Sequence, residues 1–254
     1  MIRLPLTGCA YFLDVDGTLV DFADAPARVR LDRTLPGLVE ALYESSGGAL
    51  ALISGRSLES IDRLFPGRRL PAAGQHGLER RAANGEVTRH PGPVRALDGA
   101  RHVLEGISDR HPGVLVEDKG LSLALHYRRA PQLASYAHRV MRKLRLALGD
   151  QYCLQQGKRV VELAPAGRDK GAAIASFMLE APFLGRSPLF IGDDVTDEYG
   201  FAMVNQLGGY SIKVGLGRTR AGWRLPDVPS VLAWLTSGTP VPQRNIVRYR
   251  KSRP

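Results

Sequence analysis

The sequence predicts an α/β protein: a doubly wound parallel sheet into which a smaller α+β unit is inserted. Three observations carry this. Short apolar runs ending in small or polar residues recur along the chain, helical periodicity separates them, and the middle of the chain switches to period-two alternation. Runs that are apolar on both faces suit strands covered on both sides, and alternating strand and helix defines a doubly wound core.

The runs are Ala10-Tyr11-Phe12-Leu13 before Asp14, Ala49 to Ile53 before Ser54, and Leu189-Phe190-Ile191 before Gly192. Between the first two, Leu35, Leu38, Val39 and Leu42 recur at i, i+3, i+4 and i+7, and after the second, Leu58, Ile61, Leu64 and Phe65 line one face of another helix. In the middle, Leu97, Ala100, Val103, Leu104 and Ile107 form another helical stripe. Two strands follow, Val114 to Glu117 and Leu121 to Tyr127, joined by a turn at Asp118-Lys119-Gly120. Leu121, Leu123, Leu125 and Tyr127 alternate with Ser122, Ala124, His126 and Arg128, the pattern of an antiparallel sheet with one covered face and one polar face. Leu133, Tyr136, Val140, Leu144 and Leu148 mark a further helix, and Lys158 to Leu163 a further strand. The expected division is a core of residues 1–79 and 164–239, an inserted cap of 80–163, and a basic tail of 240–254.

Composition excludes several classes. The chain has 254 residues, 44% of them hydrophobic and 24% charged, ordinary for a globular protein that buries a full core. No apolar run approaches the ~18 residues of a membrane span. Leu6-Thr7-Gly8-Cys9 imitates a lipoprotein cleavage box, but the apolar stretch before it is too short and contains Pro5. Cys9 and Cys153 are the only cysteines, which argues against a disulfide framework and fits a reducing cytoplasm. Of the formal net charge of +10, five positive charges lie in the tail at Arg244, Arg248, Arg250, Lys251 and Arg253. Without aromatic interleaving this predicts a solvated surface and no nucleic-acid partner, while a mild positive field would attract a phosphorylated substrate.

The chemistry concentrates at the strand ends. Asp14-Val15-Asp16-Gly17-Thr18 follows the first run, where ligands of open α/β sheets bind. Gly17 permits a sharp turn that brings N–H groups toward an anion. A calcium loop is excluded because the twelfth position from Asp14 is Ala25, not a bidentate Glu. Gly192-Asp193-Asp194-Val195-Thr196-Asp197-Glu198 follows the third run. So many acids repel one another unless a cation or water relieves them, and hard oxygen ligands beside a phosphate site favour Mg²⁺. The plainer alternative, acids complementing a helix N-terminus, suits Asp197 and Glu198 best. Ser54-Gly55-Arg56 ends the second run and opens a helix, so its hydroxyl and amides can bind an anion or, alternatively, cap that helix. Lys170 opens the helix Ala172 to Met178 and can neutralise phosphate charge, or be an ordinary surface lysine.

In this order, the four motifs resemble those of the haloacid dehalogenase superfamily of phosphotransferases. Leu52 to Arg56, Gly74-Gln75-His76-Gly77, Glu117 to Arg128 and Ile191 to Glu198 narrow the resemblance to the bacterial trehalose-6-phosphate phosphatases. It runs from Tyr11 to about Leu235, and the Glu117 to Arg128 segment is its most family-specific part. One departure is Ala164, where many relatives carry Arg.

The resemblance implies a haloacid-dehalogenase-like Rossmannoid core and a small sugar phosphate as substrate. It makes Asp14 the nucleophile and Asp16 the general acid and base. Thr18, Ser54, Gly55 and Lys170 become phosphate contacts. Mg²⁺ is held by Asp14, the backbone carbonyl of Asp16, and Asp193, with Asp194 and Asp197 orienting waters or Lys170. Glu117, Lys119, Lys158 and Glu162 become sugar contacts. Three alternatives stay open here: a related phosphatase for sucrose or mannosyl-glycerate phosphate, a catalytically silent module of the same fold, and a nucleic-acid-binding protein on charge alone. The oligomeric state is left open.

Overall fold

The computed structural model describes residues 8–21, 34–90 and 96–237; the basic tail expected at 240–254 lies outside them. Eight strands form one large sheet. In chain order they are β1 (Cys9–Leu13), β2 (Leu50–Ile53), β3 (Ala72–Gly74), β4 (Glu79–Arg81) and β5 (Val87–Arg89), then β10 (Ser187–Gly192), β11 (Tyr210–Val214) and β12 (Trp223–Leu225). Their spatial order is β12-β11-β10-β1-β2-β3-β4-β5, with β4 and β5 antiparallel and the rest parallel.

The chain winds outward from β1 in both directions, so the topological switch point lies between β1 and β10. Those strands pair in register from Cys9 with Ser187 to Leu13 with Ile191. Their carboxyl ends therefore deliver Asp14 and Asp193 side by side into the crevice where such sheets bind ligands.

Alternation along β1 explains why both faces are covered. Tyr11 and Leu13 join Leu50, Leu52, Leu189 and Ile191 on one side. There they pack against α1 (Leu35–Ser45), α2 (Leu58–Leu64) and α7 (Val228–Ser237) through Val39, Ile61 and Trp234. Ala10 and Phe12 face the other way, onto α5 (Lys170–Phe177) and α6 (Asp197–Gln206), where Phe177, Phe190 and Phe201 fill the layer. Cys9, the residue of the lipoprotein-like box, is the buried first residue of β1.

The second sheet has four antiparallel strands in the order β6-β7-β9-β8: β6 (Leu115–Asp118), β7 (Leu123–His126), β9 (Val160–Pro165) and β8 (Tyr152–Gly157). Its apolar face carries Leu123, Leu125, Val161, Leu163 and Tyr152. These pack on α3 (Leu97–Arg110) through Leu104 and Ile107, and on α4 (Ala134–Leu148) through Ala137 and Met141. The expected hairpin is β6–β7. Val103, read as part of the α3 stripe, is 47% exposed, since the helix buries a narrower face than its apolar residues span.

The expected boundary after residue 79 cuts through the β4–β5 hairpin. Both strands extend the large sheet, because Ala72 to Gly74 pair with Arg81 to Glu79. The charged Glu79-Arg80-Arg81 segment carries no apolar run to announce a strand.

Candidate active site

Between the carboxyl ends of the large sheet and the polar face of the small one lies a cleft of about 1220 Å³. Its floor is set by β1 and β10. Asp14, one residue beyond β1, is 3% exposed, and its backbone N–H donates to the Ile191 carbonyl at 3.0 Å. Its Oδ1 accepts from Lys170 Nζ at 2.7 Å and its Oδ2 from the Thr18 hydroxyl at 3.2 Å. Burial raises the Asp14 carboxyl well above the usual range; Lys170 opposes this, and Asp197 and Asp193 add to it.

Lys170 is the first residue of α5, which Asp169 caps by accepting from the Ala172 N–H at 2.8 Å. It is a buried cation and not a surface one: Nζ bridges Asp14 and Asp197 Oδ1, the latter at 2.6 Å. Burial pulls its ammonium down, yet the two aspartates hold it above its ordinary value.

Asp197 starts α6, as expected of an acid at a helix N-terminus, but is fully buried. Its Oδ2 accepts the backbone N–H groups of Asp193 and Asp194 at 2.9 and 2.8 Å, which fixes the acidic loop. Only glycine fits at 192, where a Cβ would collide with the Asp197 carboxyl group.

Asp14, Asp193 and Asp197 bring carboxylate oxygens within 4.8 Å of one another. Burial raises Asp193 to about 6 against the pull of Lys158. Its Oδ1 is buried with no hydrogen-bond partner among the described residues. A hard divalent cation fits these oxygens, because it supplies the positive charge that such a group of carboxylates needs.

Other expected residues take different places. The Asp16 carboxylate stands apart from the cluster and is held by Arg56, whose Nε and Nη2 both donate at 2.6 Å. Thr18 is fully buried behind Asp14 and outside the cleft lining, so its hydroxyl serves that carboxylate. Ser54, 1% exposed, lines the cleft beside Gly55 but does not cap α2. The cap is Ser57, which accepts from the Ser60 N–H at 3.2 Å. Four residues, 54–57, separate β2 from α2, and the last of them is the cap. Lys213 was not singled out in the sequence; it is 5% exposed on β11, and its ammonium donates to the Asp193 carbonyl. A lysine between Ile212 and Val214 in a short strand is the signal that marks it.

The cap face follows from strand register. Glu117 on β6 pairs with Ala124 on β7, which pairs with Glu162 on β9. Two carboxylates therefore share one row of the polar face, with a small residue between them. Lys119 Nζ donates to Glu162 Oε2 at 2.7 Å and to the Gly55 carbonyl at 2.9 Å, tying the cap to the second strand end. Ser122 donates to Glu162 Oε1 at 2.6 Å, and His126 Nε2 lies 2.8 Å from Glu117 Oε2. Burial pushes Glu162 up, but Lys119 and His76 hold it far below the usual carboxylate range. Lys158, at the β8–β9 turn, is paired with Asp193, and its backbone N–H donates to Asp194 Oδ2 at 3.0 Å. It thus reaches the acidic loop, whereas Glu117, Lys119 and Glu162 gather on the cap face. His76, Gln75, Ser122, His126 and Arg56 lay within the quoted motifs, but the sequence assigned them no roles.

Strand-end carboxylates at the switch point, a bridging lysine and a polar cap face define a phosphatase of the haloacid dehalogenase fold. A family model described as trehalose-phosphatase matches residues 12–228, and the chain belongs to that family. It is 48% identical over 231 residues to trehalose-6-phosphate phosphatase of Escherichia coli, covering 89% of this chain and 85% of that one. It is 42% identical to a probable trehalose-phosphate phosphatase of Sinorhizobium fredii, covering 83% and 79%. In fold it matches the C-terminal domain of Candida albicans trehalose-6-phosphate phosphatase, with a TM-score of 0.80 at 22% identity over 89% and 90% of the two chains. A trehalose-6-phosphate phosphatase related protein gives 0.72 at 29% identity, over 89% and 95%. By membership the protein is a phosphoric monoester hydrolase. Among the described residues no helix is long and apolar enough to cross a membrane.

Proposed function

We propose that the protein hydrolyses trehalose 6-phosphate to trehalose and phosphate, with Mg²⁺, through an aspartyl-phosphate on Asp14. The observation that carries this is Asp14 itself: a buried carboxylate at the switch point, oriented by Thr18 and Lys170 and open to a cleft whose other wall is polar.

Asp14 attacks phosphorus, forming an acyl phosphate as the bond to the sugar oxygen breaks. Asp16 protonates that departing oxygen, then takes the proton from the water that attacks phosphorus and regenerates the Asp14 carboxylate. Lys170, Ser54 and the amides after Ser54 receive phosphoryl oxygens. Asp14, Asp193 and the backbone carbonyl of Asp16 would hold Mg²⁺, with Asp194 and Asp197 orienting this shell. When bound, the metal supplies charge that lets two anions approach and stabilises the equatorial oxygens. Glu117, Lys119, Glu162 and, once released from Asp193, Lys158 offer charged hydrogen bonds to a sugar that presents only hydroxyls. The core–cap division is read the same way, with the cap running from α3 to β9. The free thiols of Cys9 in the core and Cys153 in the cap suit a reducing cytoplasm.

Asp16→Asn tests the sequence of steps. Quenched with p-nitrophenyl phosphate, whose leaving group departs without a proton, and digested, this variant should yield phosphate on the Asp14 peptide while turnover is slow. Slow turnover with no phosphopeptide, in a variant that still binds substrate, would contradict the covalent route.

A further inference from the structure

Gln75, His76 and Gly77 form one 3₁₀ turn between β3 and β4, and the roles above leave it unused. Gln75 and His76 sit at φ 46° and 57°, a left-handed region that is strained for a non-glycine residue and persists where its surroundings impose it. The imposing contacts are visible. The Gln75 N–H donates to the Arg56 carbonyl at 2.8 Å and the His76 N–H to the Ser54 carbonyl at 3.0 Å, clipping the turn to the phosphate loop.

The imidazole then sits close against that loop at Gly55. A Cβ on Gly55 would come within 2.7 Å of His76 Nε2, so only glycine lets the ring in. Nε2 also sits 3.6 Å from Glu162 Oε2, the carboxylate that Lys119 ties to the Gly55 carbonyl. Ser122, bound to the other oxygen of Glu162, lies 3.4 Å from Gln75 Oε1. The turn thus touches the phosphate loop on one side and the cap's carboxylate on the other.

Proton placement follows from burial. Nδ1 is buried with no hydrogen-bond partner among the described residues, so a proton there would be unsatisfied. The neutral ring carries it on Nε2, facing Glu162. Burial holds the imidazole below its ordinary value, despite Glu162, and an imidazolium would add a charge near Lys170 and Lys119.

We propose that His76 is a specificity-determining positioning residue, seating Glu162 against the Ser54–Gly55 loop so that sugar reading and phosphate binding share one register. The proposal rests on the reading of Glu162 as a sugar contact. Three variants separate the two. His76→Asn suits the left-handed backbone but is too short to reach Glu162, His76→Gln is long enough to set an N–H beside it, and Glu162→Gln tests the carboxylate itself. Steady-state kinetics on trehalose 6-phosphate should show KM raised about tenfold in His76→Asn, with kcat nearly kept and most of the KM recovered in His76→Gln. For p-nitrophenyl phosphate kcat/KM should stay within about twofold in both. Ring ¹⁵N shifts of the wild-type protein should report a neutral Nε2–H tautomer. Equal losses on both substrates, an unchanged KM in His76→Asn, or an Nδ1–H tautomer would overturn the positioning role. If Glu162→Gln loses trehalose 6-phosphate selectively while His76→Asn does not, the sugar reading stands and this inference fails. If Glu162→Gln shows no selective loss, both fail.

Discussion

On the floor of the cleft Asp14, Lys170, Asp193 and Asp197 are each at most 3% exposed. On the cap face the side chains of Glu117 and His126 are 33% and 24% exposed. The two regions also differ in how their acceptors are used. Glu162 has both oxygens engaged, by Ser122 and Lys119, and Glu117 has His126. On the floor one lysine serves two carboxylates, and Asp193 keeps a buried oxygen without a hydrogen bond among the described residues. A floor where three buried carboxylates converge and one oxygen stays without a hydrogen bond among the described residues can take up a divalent cation. On the proposed reading, a cap face whose carboxylates already have partners would trade those hydrogen bonds for those of a sugar, and its residues would tune which substrate is held more than how fast phosphorus reacts.

Substitutions should separate the regions in that sense. The largest effect belongs to Asp14→Asn, which should lower phosphate release from every substrate by on the order of a thousandfold or more, with the melting temperature kept. Substantial activity in that variant would remove the distinction altogether. Next comes Lys170→Met. It strips two buried carboxylates of their counter-charge, and breaking a buried pair costs about 3–5 kcal/mol. Chemical denaturation should show the loss, whereas Lys119→Met should cost less because Ser122 and His76 still face Glu162.

Glu117→Gln should act more gently. Its carboxylate is partly hydrated, so kcat/KM for trehalose 6-phosphate should fall roughly five- to tenfold, with p-nitrophenyl phosphate hardly affected. A parallel loss on both substrates would place Glu117 in the structure of the cap and not in recognition.

The smallest expected effect is in pH. His76 is faced by Glu162 from β9, Lys119 from the β6–β7 turn and Lys170 from α5, and burial lowers its proton affinity below the ordinary value of 6.5. Between the folded value and 6.5 the unfolded chain binds more protons, so stability rises with pH there and is lost on acidification through that window. Glu162, depressed instead, keeps its contribution down to more acidic pH. Thermal melts from pH 7.5 to 5.5 should therefore slope more steeply for wild type than for His76→Gln; identical slopes would mean that His76 is not held neutral.

The sequence revealed the floor more fully than the cap. Buried parallel strands are written as apolar runs, and β1, β2 and β10 announce themselves together with the residues at their ends. Strands β3, β4, β5 and β12 are three residues long, too short for periodicity to register. Strand β8 escapes because its Cys-Leu-Gln-Gln stretch is partly exposed on both faces. Glu117 and Glu162 were found by resemblance, and what joins them in one row is a register through Ala124 that no local pattern encodes. The pairing of Asp16 with Arg56 spans forty residues. The left-handed turn at Gln75-His76 contradicts local propensity, and tertiary contacts impose it.

The central claim is tested most directly by phosphate release from trehalose 6-phosphate, sucrose 6-phosphate, glucose 6-phosphate and p-nitrophenyl phosphate, each with Mg²⁺ and with EDTA. A strong preference for trehalose 6-phosphate that EDTA abolishes is the expected result. Equal rates on all four would contradict the reading of the cap face, and no release from any would contradict that of the floor.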